Sequence, residues 1–290
     1  MSLADLSHLE RAVRLAELCE LAYERGPARL TQALSPRFEP FRYHVSLGGV
    51  PLGLSGFLVC FEQDVVLVFC GSRLSSEELV GTLANWTINL AVSQVEAFGG
   101  RVHRGFANAL GEIWDDVSTR IQARCGDGRR LWITGHSLGG ALGTLAACRL
   151  SQIEPRQSVA MVYTFGAPRV GDRVFAERYP VRHFRFENRN DLIAYLCPPP
   201  DNLPGWLKAL GRWAVQQVFK IDMPESAFHY RHVGKCQFLH WDGTLKEAQD
   251  PFSFQRLNRL AEAVSDHRMS SYLNALRLLS ASGEDKRIER

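Results

Sequence analysis

Apolar residues recur along this chain with two different spacings, and the alternation between them predicts the fold. Over 104–124, Phe106, Leu110, Ile113, Val117 and Ile121 follow one another at intervals of three or four, which predicts a long amphipathic helix. Leu6, Leu9, Val13, Ala16 and Leu21 mark one face of another helix over 3–25, closed by Gly26-Pro27. Short continuous apolar runs at 56–61 and 64–70, separated by Glu62-Gln63, predict a hairpin. Further runs at 131–134, 158–165 and 181–187 predict strands. The apolar stretch 139–152 lies between the first two and predicts a helix, giving a β-α-β unit with parallel strands. Residues 205–219 and 267–280 also have helical spacing, Phe228–Gly234 resembles a strand, and 281–290 is a polar, frayed end. The expected architecture is one α/β domain over 1–290, a mostly parallel central sheet flanked by helices.

Composition narrows this picture. At 46% hydrophobic residues the chain has ample material for a core, and a net charge of +3 is too small to argue for nucleic acid. Seven cysteines, an odd number and mostly within apolar runs, read as buried thiols in a reducing compartment. They make no C-x-x-C pair and no Cys/His cluster with zinc spacing, so no metal or other cofactor is expected. Residues 1–20 lack the continuous apolar core of an export signal, and no charge-free window reaches membrane-spanning length. The expected location is the cytoplasm, with at most peripheral membrane contact.

Chemistry enters at Gly135-His136-Ser137-Leu138-Gly139. The motif stands between a predicted strand and a predicted helix, the setting in which G-x-S-x-G forms a tight turn with the serine at its tip. Side chains in place of the glycines would collide with neighbouring backbone, and the serine takes a strained conformation that exposes its hydroxyl. The Leu138 N–H then lies at a helix N-terminus, where it can receive a developing oxyanion. A serine hydroxyl needs a general base, and the base needs a carboxylate to orient it. On such a fold the order is Ser, acid, His, which leaves His229, His232, His240 and His267 of the nine histidines. His267 is favoured because it follows Ser265-Asp266 at the opening of a predicted helix. For the acid, Asp191 lies just past a predicted strand; its rival Asp172 reads more simply as a helix N-cap. His136 is expected to point away from the nucleophile, and His103 to pack beneath the site.

Several motifs, in order, resemble the fungal-type, or class 3, lipase family of α/β-hydrolases. They are Val102-His-Arg-Gly-Phe106, Ile133–Leu142 around the elbow, Thr164-Phe-Gly-Ala-Pro-Arg-Val-Gly171, Asn188-Arg-Asn-Asp191, and Asp266-His267 with Tyr272 beyond. The resemblance spans roughly 55–280 and implies Ser137, Asp191 and His267 as the catalytic triad. It also implies Phe69-Cys70-Gly71-Ser72 as the first oxyanion segment, so that Ser72 joins Leu138 in the oxyanion hole. The chain departs from the family at Cys70, where arginine is usual, and at Asn89, where aspartate is common. The implied activity is hydrolysis of ester bonds in acylglycerols or related lipids through an acyl-enzyme, with a phospholipase A or lysophospholipase as the variant. A non-catalytic lipid-binding protein and an acyltransferase are the competing classes.

Two segments bear on access to the site. Residues 74–86 set Leu74, Leu79, Val80 and Leu83 beside Ser75, Ser76, Glu77 and Glu78, an amphipathic lid candidate. Residues 198–228 form a candidate cap, in which Trp206 and Trp213 with Lys208, Arg212 and Lys220 suit a lipid interface.

Overall fold

A computed structural model describes residues 2–23, 38–47, 50–71, 94–125, 128–153, 159–191, 193–195, 229–248 and 260–282. The candidate lid 74–86, the candidate cap 198–228 with its helix at 205–219, Ser72, Asn89 and Cys197 lie outside these residues.

Among the described residues, eight strands form one sheet. In chain order they are β1 (Phe38–Leu47), β2 (Val50–Cys60), β3 (Asp64–Phe69), β6 (Arg130–His136), β7 (Val159–Phe165), β8 (His183–Asn188), β9 (Lys235–Leu239) and β10 (Leu245–Ala248). The remaining two, β4 (Gln94–Ala97) and β5 (Gly100–His103), pair separately as an antiparallel hairpin. Spatial and sequence order agree across the large sheet. Its centre, from β3 through β9, is parallel, and antiparallel partners close both flanks. This is the mostly parallel sheet expected, and the expected hairpin is β2–β3.

Period-2 alternation divides the central strands between two cores. Leu58, Val65, Leu67, Phe69, Leu131 and Ile133 face helices α2 (Arg104–Cys125) and α3 (Leu138–Ile153). Val59, Val66, Val68, Trp132, Phe165 and Phe186 face α1 (His8–Leu21) and α6 (Met269–Ser282). The predicted stripe on α2 is buried along its length, from Phe106 to Ile121. Helix α3 is predominantly apolar and is buried from Leu138 to Cys148, between α2 and the sheet, reaching solvent only in its last turn. The short α4 (Arg173–Glu177) is capped by Asp172, whose carboxylate accepts from the Phe175 N–H at 2.8 Å. Helix α5 (Leu260–His267) leads directly into α6.

Three expectations are corrected. The single helix over 3–25 is two pieces, a 3-10 turn at Leu3–Asp5 and α1, because Ser2 and Ser7 each open a capping box that starts a new helix. The stretch before Gly234 is not a strand: only Arg231 makes a bridge, to Gly171, and β9 begins at Lys235. His267 ends α5 rather than opening a helix, and α6 starts at Met269. The six described cysteines are buried thiols, as their apolar surroundings imply.

Candidate active site

The parallel strands end level with one another, so the loops that follow β3, β6, β7 and β8 converge at one edge. Ser137 turns the chain from β6 into α3 at φ 57°, a left-handed conformation rare for serine. The turn requires its glycines. A Cβ on Gly135 would lie 2.4 Å from the Gly139 carbonyl group, and one on Gly139 would lie 2.2 Å from the Phe69 carbonyl oxygen. The Ser137 N–H donates to the Phe165 carbonyl at 2.9 Å, fixing the elbow to the neighbouring strand. Leu138 is the first residue of α3, so its N–H has no acceptor within the helix and is available to an oxyanion.

Ser137 Oγ lies 3.0 Å from His267 Nε2, and His267 Nδ1 lies 2.8 Å from Asp191 Oδ2. All three residues are buried. A carboxylate can only accept, so Nδ1 carries the imidazole proton and Nε2 presents a lone pair to the serine hydroxyl. Asp191 follows β8 by a tight turn and is further held by the Ile193 N–H on Oδ1 at 2.8 Å and the Tyr272 hydroxyl on Oδ2 at 2.6 Å. Burial and the adjacent Asp191 push the Tyr272 phenol well above its ordinary value, so it remains a donor. Gly166 allows the acid and base to meet: a Cβ there would lie 2.5 Å from Asp191 Oδ2 and 3.0 Å from His267 Nδ1.

The asparagines of the acid loop fasten it to the helix bearing His267. Asn188 Nδ2 donates to the Asp266 carbonyl at 2.9 Å and to Ser271 Oγ at 3.0 Å. Asn190 donates to Asp266 Oδ2 from both its backbone and side-chain nitrogens at 3.2 Å, and to Glu262 at 3.0 Å. Burial holds the Asp266 carboxyl above its ordinary range against these hydrogen bonds.

The structure thus brings Ser137, Asp191 and His267 together, with Leu138 beside the nucleophile. The rivals lie elsewhere. Asp172 caps α4, His232 donates to the Ala194 carbonyl at 2.8 Å, and His240 packs on Trp241 at the β9–β10 turn. His103 is buried, accepts the Phe106 N–H at 3.1 Å and stacks near Phe106 and Tyr230. His136 is buried and its Nε2 meets the main-chain carbonyl oxygen of His267, a contact no local pattern foretells.

Fold and site together define a class, an α/β-hydrolase with a buried Ser–His–Asp constellation at the carboxyl edge of its sheet. Residues 66–200, which contain Ser137 and Asp191, match the model of the lipase (class 3) family. The chain is 32% identical over 147 residues to a lipase of Rhizomucor miehei, covering 47% of this chain and 38% of that protein. It is 34% identical over 132 residues to phospholipase A(1) DAD1 of Arabidopsis thaliana, covering 42% of this chain and 28% of that one. The matches therefore span less than half the length of these curated relatives. Among solved structures, the R. miehei triacylglyceride lipase superposes with a TM-score of 0.60 at 20% identity, covering 89% of this chain and 92% of its own. Lipase II of Rhizopus niveus gives 0.61 at 19%, covering 92% and 94%. These two establish the shared fold.

Proposed function

We propose that this chain is a serine carboxylic-ester hydrolase acting on acyl lipids, with Ser137 as nucleophile, His267 as general base and acid, and Asp191 as its orienting partner. The observation that carries the reading is the 3.0 Å contact from Ser137 Oγ to a histidine whose other nitrogen is 2.8 Å from a buried carboxylate. As Ser137 attacks the ester carbonyl, its proton passes to His267 Nε2, and Asp191 stabilises the imidazolium. The carbonyl oxygen gains charge against the Leu138 N–H and, on the family pattern, Ser72. His267 then protonates the departing alcohol. Water, deprotonated by the same nitrogen, releases the fatty acid from Ser137.

Relatives described as lipases and as phospholipases A1 both match, so acylglycerols and phospholipids are the two substrate classes in view. A further relative, from Fusarium solani, is described as a secreted mono- and diacylglycerol lipase. Contact with a lipid surface through 74–86 and 198–228 belongs to the same proposal, on the amphipathic character of those sequences alone.

The test is labelling with a fluorophosphonate, followed by turnover of short- and long-chain p-nitrophenyl esters, triacylglycerol, monoacylglycerol and a phosphatidyl lipid. Ser137→Ala should abolish labelling, and His267→Ala should reduce turnover by about four orders of magnitude. Labelling that persists in Ser137→Ala overturns the assignment, and a wild-type protein inert to both probe and esters favours a lipid-binding role.

A further inference from the structure

Behind the triad lie two side chains that the chemistry above does not use. His136 is buried, and its Nε2 stands 2.7 Å from the main-chain carbonyl oxygen of His267. A carbonyl oxygen only accepts, so Nε2 carries the ring proton and Nδ1 holds a lone pair. That lone pair faces the Tyr23 hydroxyl at 2.7 Å, and Tyr23 therefore donates to it. Burial, reinforced by the neighbouring His267, holds His136 well below its ordinary value, so the ring stays neutral. The imidazole of His267 lies above it, with ring centroids 4.6 Å apart. A neutral His136 therefore places no like charge against the imidazolium that forms on His267 during turnover.

Tyr23 also touches the loop after β3. A Cβ on Gly71 would lie 2.4 Å from the Tyr23 hydroxyl oxygen, 2.8 Å from the His136 carbonyl oxygen and 3.0 Å from Ser137 Cβ. One hydroxyl thus stands where three segments meet: the residue before Ser72, the nucleophile elbow, and the His136 ring that reaches the His267 backbone.

We infer that Tyr23 and His136 are positioning residues that hold the main chain of His267 in register with Ser137, through a relay from the Tyr23 hydroxyl to His136 and from His136 to the His267 carbonyl. His267 is the last residue of α5, where carbonyls have lost their helical partners and need one from outside. His136 supplies that donor from the residue adjacent to the nucleophile. The catalytic base is thereby referenced to the elbow twice, once through its side chain and once through its backbone. The relay ends on a main-chain oxygen, so it cannot carry a proton to the substrate, and its effect is on geometry. Displacements well under an ångström at a base are enough to slow proton transfer. Because Tyr23 comes two residues after α1, the N-terminal helix becomes part of the apparatus that aligns the triad.

This inference rests on the hydrolase reading of the same site, and its test separates the two. Tyr23→Phe, His136→Phe, His136→Gln and the Tyr23→Phe/His136→Phe double variant are compared with wild type. The measurements are the fluorophosphonate labelling rate, kcat and KM on a soluble short-chain ester, and the thermal midpoint. Tyr23→Phe should lower kcat and the labelling rate by about 3- to 10-fold, with KM within about two-fold and the midpoint little changed. His136→Phe should cost about 10- to 100-fold. The double variant should lose no more than His136→Phe, because one link is cut twice. His136→Gln, which can still donate to the His267 carbonyl, should recover part of the loss. Tyr23→Phe labelled at the wild-type rate overturns the relay, as do single losses that multiply in the double variant. Should His136→Phe fail to fold, Tyr23→Phe alone decides. An unlabelled wild type overturns the hydrolase reading instead.

Discussion

The Tyr272 hydroxyl donates to Asp191 Oδ2 at 2.6 Å, the same oxygen that receives the Nδ1 proton of His267. The same hydroxyl accepts the Asn188 N–H at 3.0 Å, so it joins the root of the acid loop to the acid itself. Tyr272→Phe removes both bonds without changing the ring. We expect kcat to fall about 10-fold, because Asp191 loses one of the groups that aim it. Stability should fall by about 1–3 kcal/mol, since a buried N–H is left without its acceptor. Steady-state kinetics and urea denaturation of this variant check both, and a fully active, fully stable Tyr272→Phe would show that Ile193 and His267 suffice to hold Asp191.

Gly166 should tolerate no side chain. Its φ is 57°, and a Cβ would meet Asp191 Oδ2 at 2.5 Å. Neither partner can retreat cheaply, since Asp191 is held on both oxygens. Gly166→Ala should therefore reduce kcat by about 100-fold or more while the protein remains folded, because the carboxylate must leave His267. Circular dichroism with fluorophosphonate labelling distinguishes this from unfolding; a folded variant labelled at the wild-type rate refutes it.

How much of this was legible in the sequence varies residue by residue. Ser137 and the Leu138 N–H are local facts, since a strand, a glycine-flanked turn and a helix lie within some twenty residues of one another. Asp191 follows from its place after β8. His267 is favoured among four candidate histidines by its place after Ser265-Asp266, although it closes α5 rather than opening a helix, and the family pattern singles it out. Tyr23 reaches His136 across 113 residues and Tyr272 reaches Asp191 across 81, and no periodicity encodes such meetings. The break before α1 is written in the sequence, for Ser7-His-Leu-Glu10 has the spacing of a capping box. Strands β9 and β10, at five and four residues, offer too little alternation to mark them as strands.

Asp64 should prove to be the anchor of the N-terminal segment. It is buried at the start of β3, where it accepts from Ser2 Oγ at 2.6 Å, the Leu3 N–H at 2.7 Å, Trp132 Nε1 at 2.8 Å and Arg130 Nε at 3.2 Å. Asp64→Ala strands three neutral buried donors and leaves Arg130 without its carboxylate, a loss expected at about 2–4 kcal/mol. Amide exchange over α1 should accelerate with it, because the turn that precedes the helix loses its hold. Unchanged exchange in α1 together with an unchanged denaturation midpoint would contradict this.

Three buried histidines set the response to acid. Burial, aided by Arg185, lowers His183 from an ordinary 6.5 to about 3. Burial and the charges of Arg185 and Arg169 hold His232 well below its ordinary value, and burial with His267 does the same for His136. Each is neutral in the folded protein, whereas in the unfolded chain each takes a proton as pH falls through 6.5. Their contribution is therefore complete above that value and is lost progressively below it, with His183 reaching its limit near 3. At two pH units below the unfolded value, His183 costs roughly 2–3 kcal/mol. Asp266 acts in the opposite sense: its folded value is raised, so it holds its proton sooner in the folded state as pH falls. Urea denaturation at about pH 7 and about pH 4.5 should show a marked loss of stability accompanied by proton uptake on unfolding. His183→Gln should remove about one proton from that uptake, the signature of a single neutral histidine taken out of the cycle. A variant whose pH dependence matches the wild type would mean that His183 is already charged in the folded state, contrary to its surroundings.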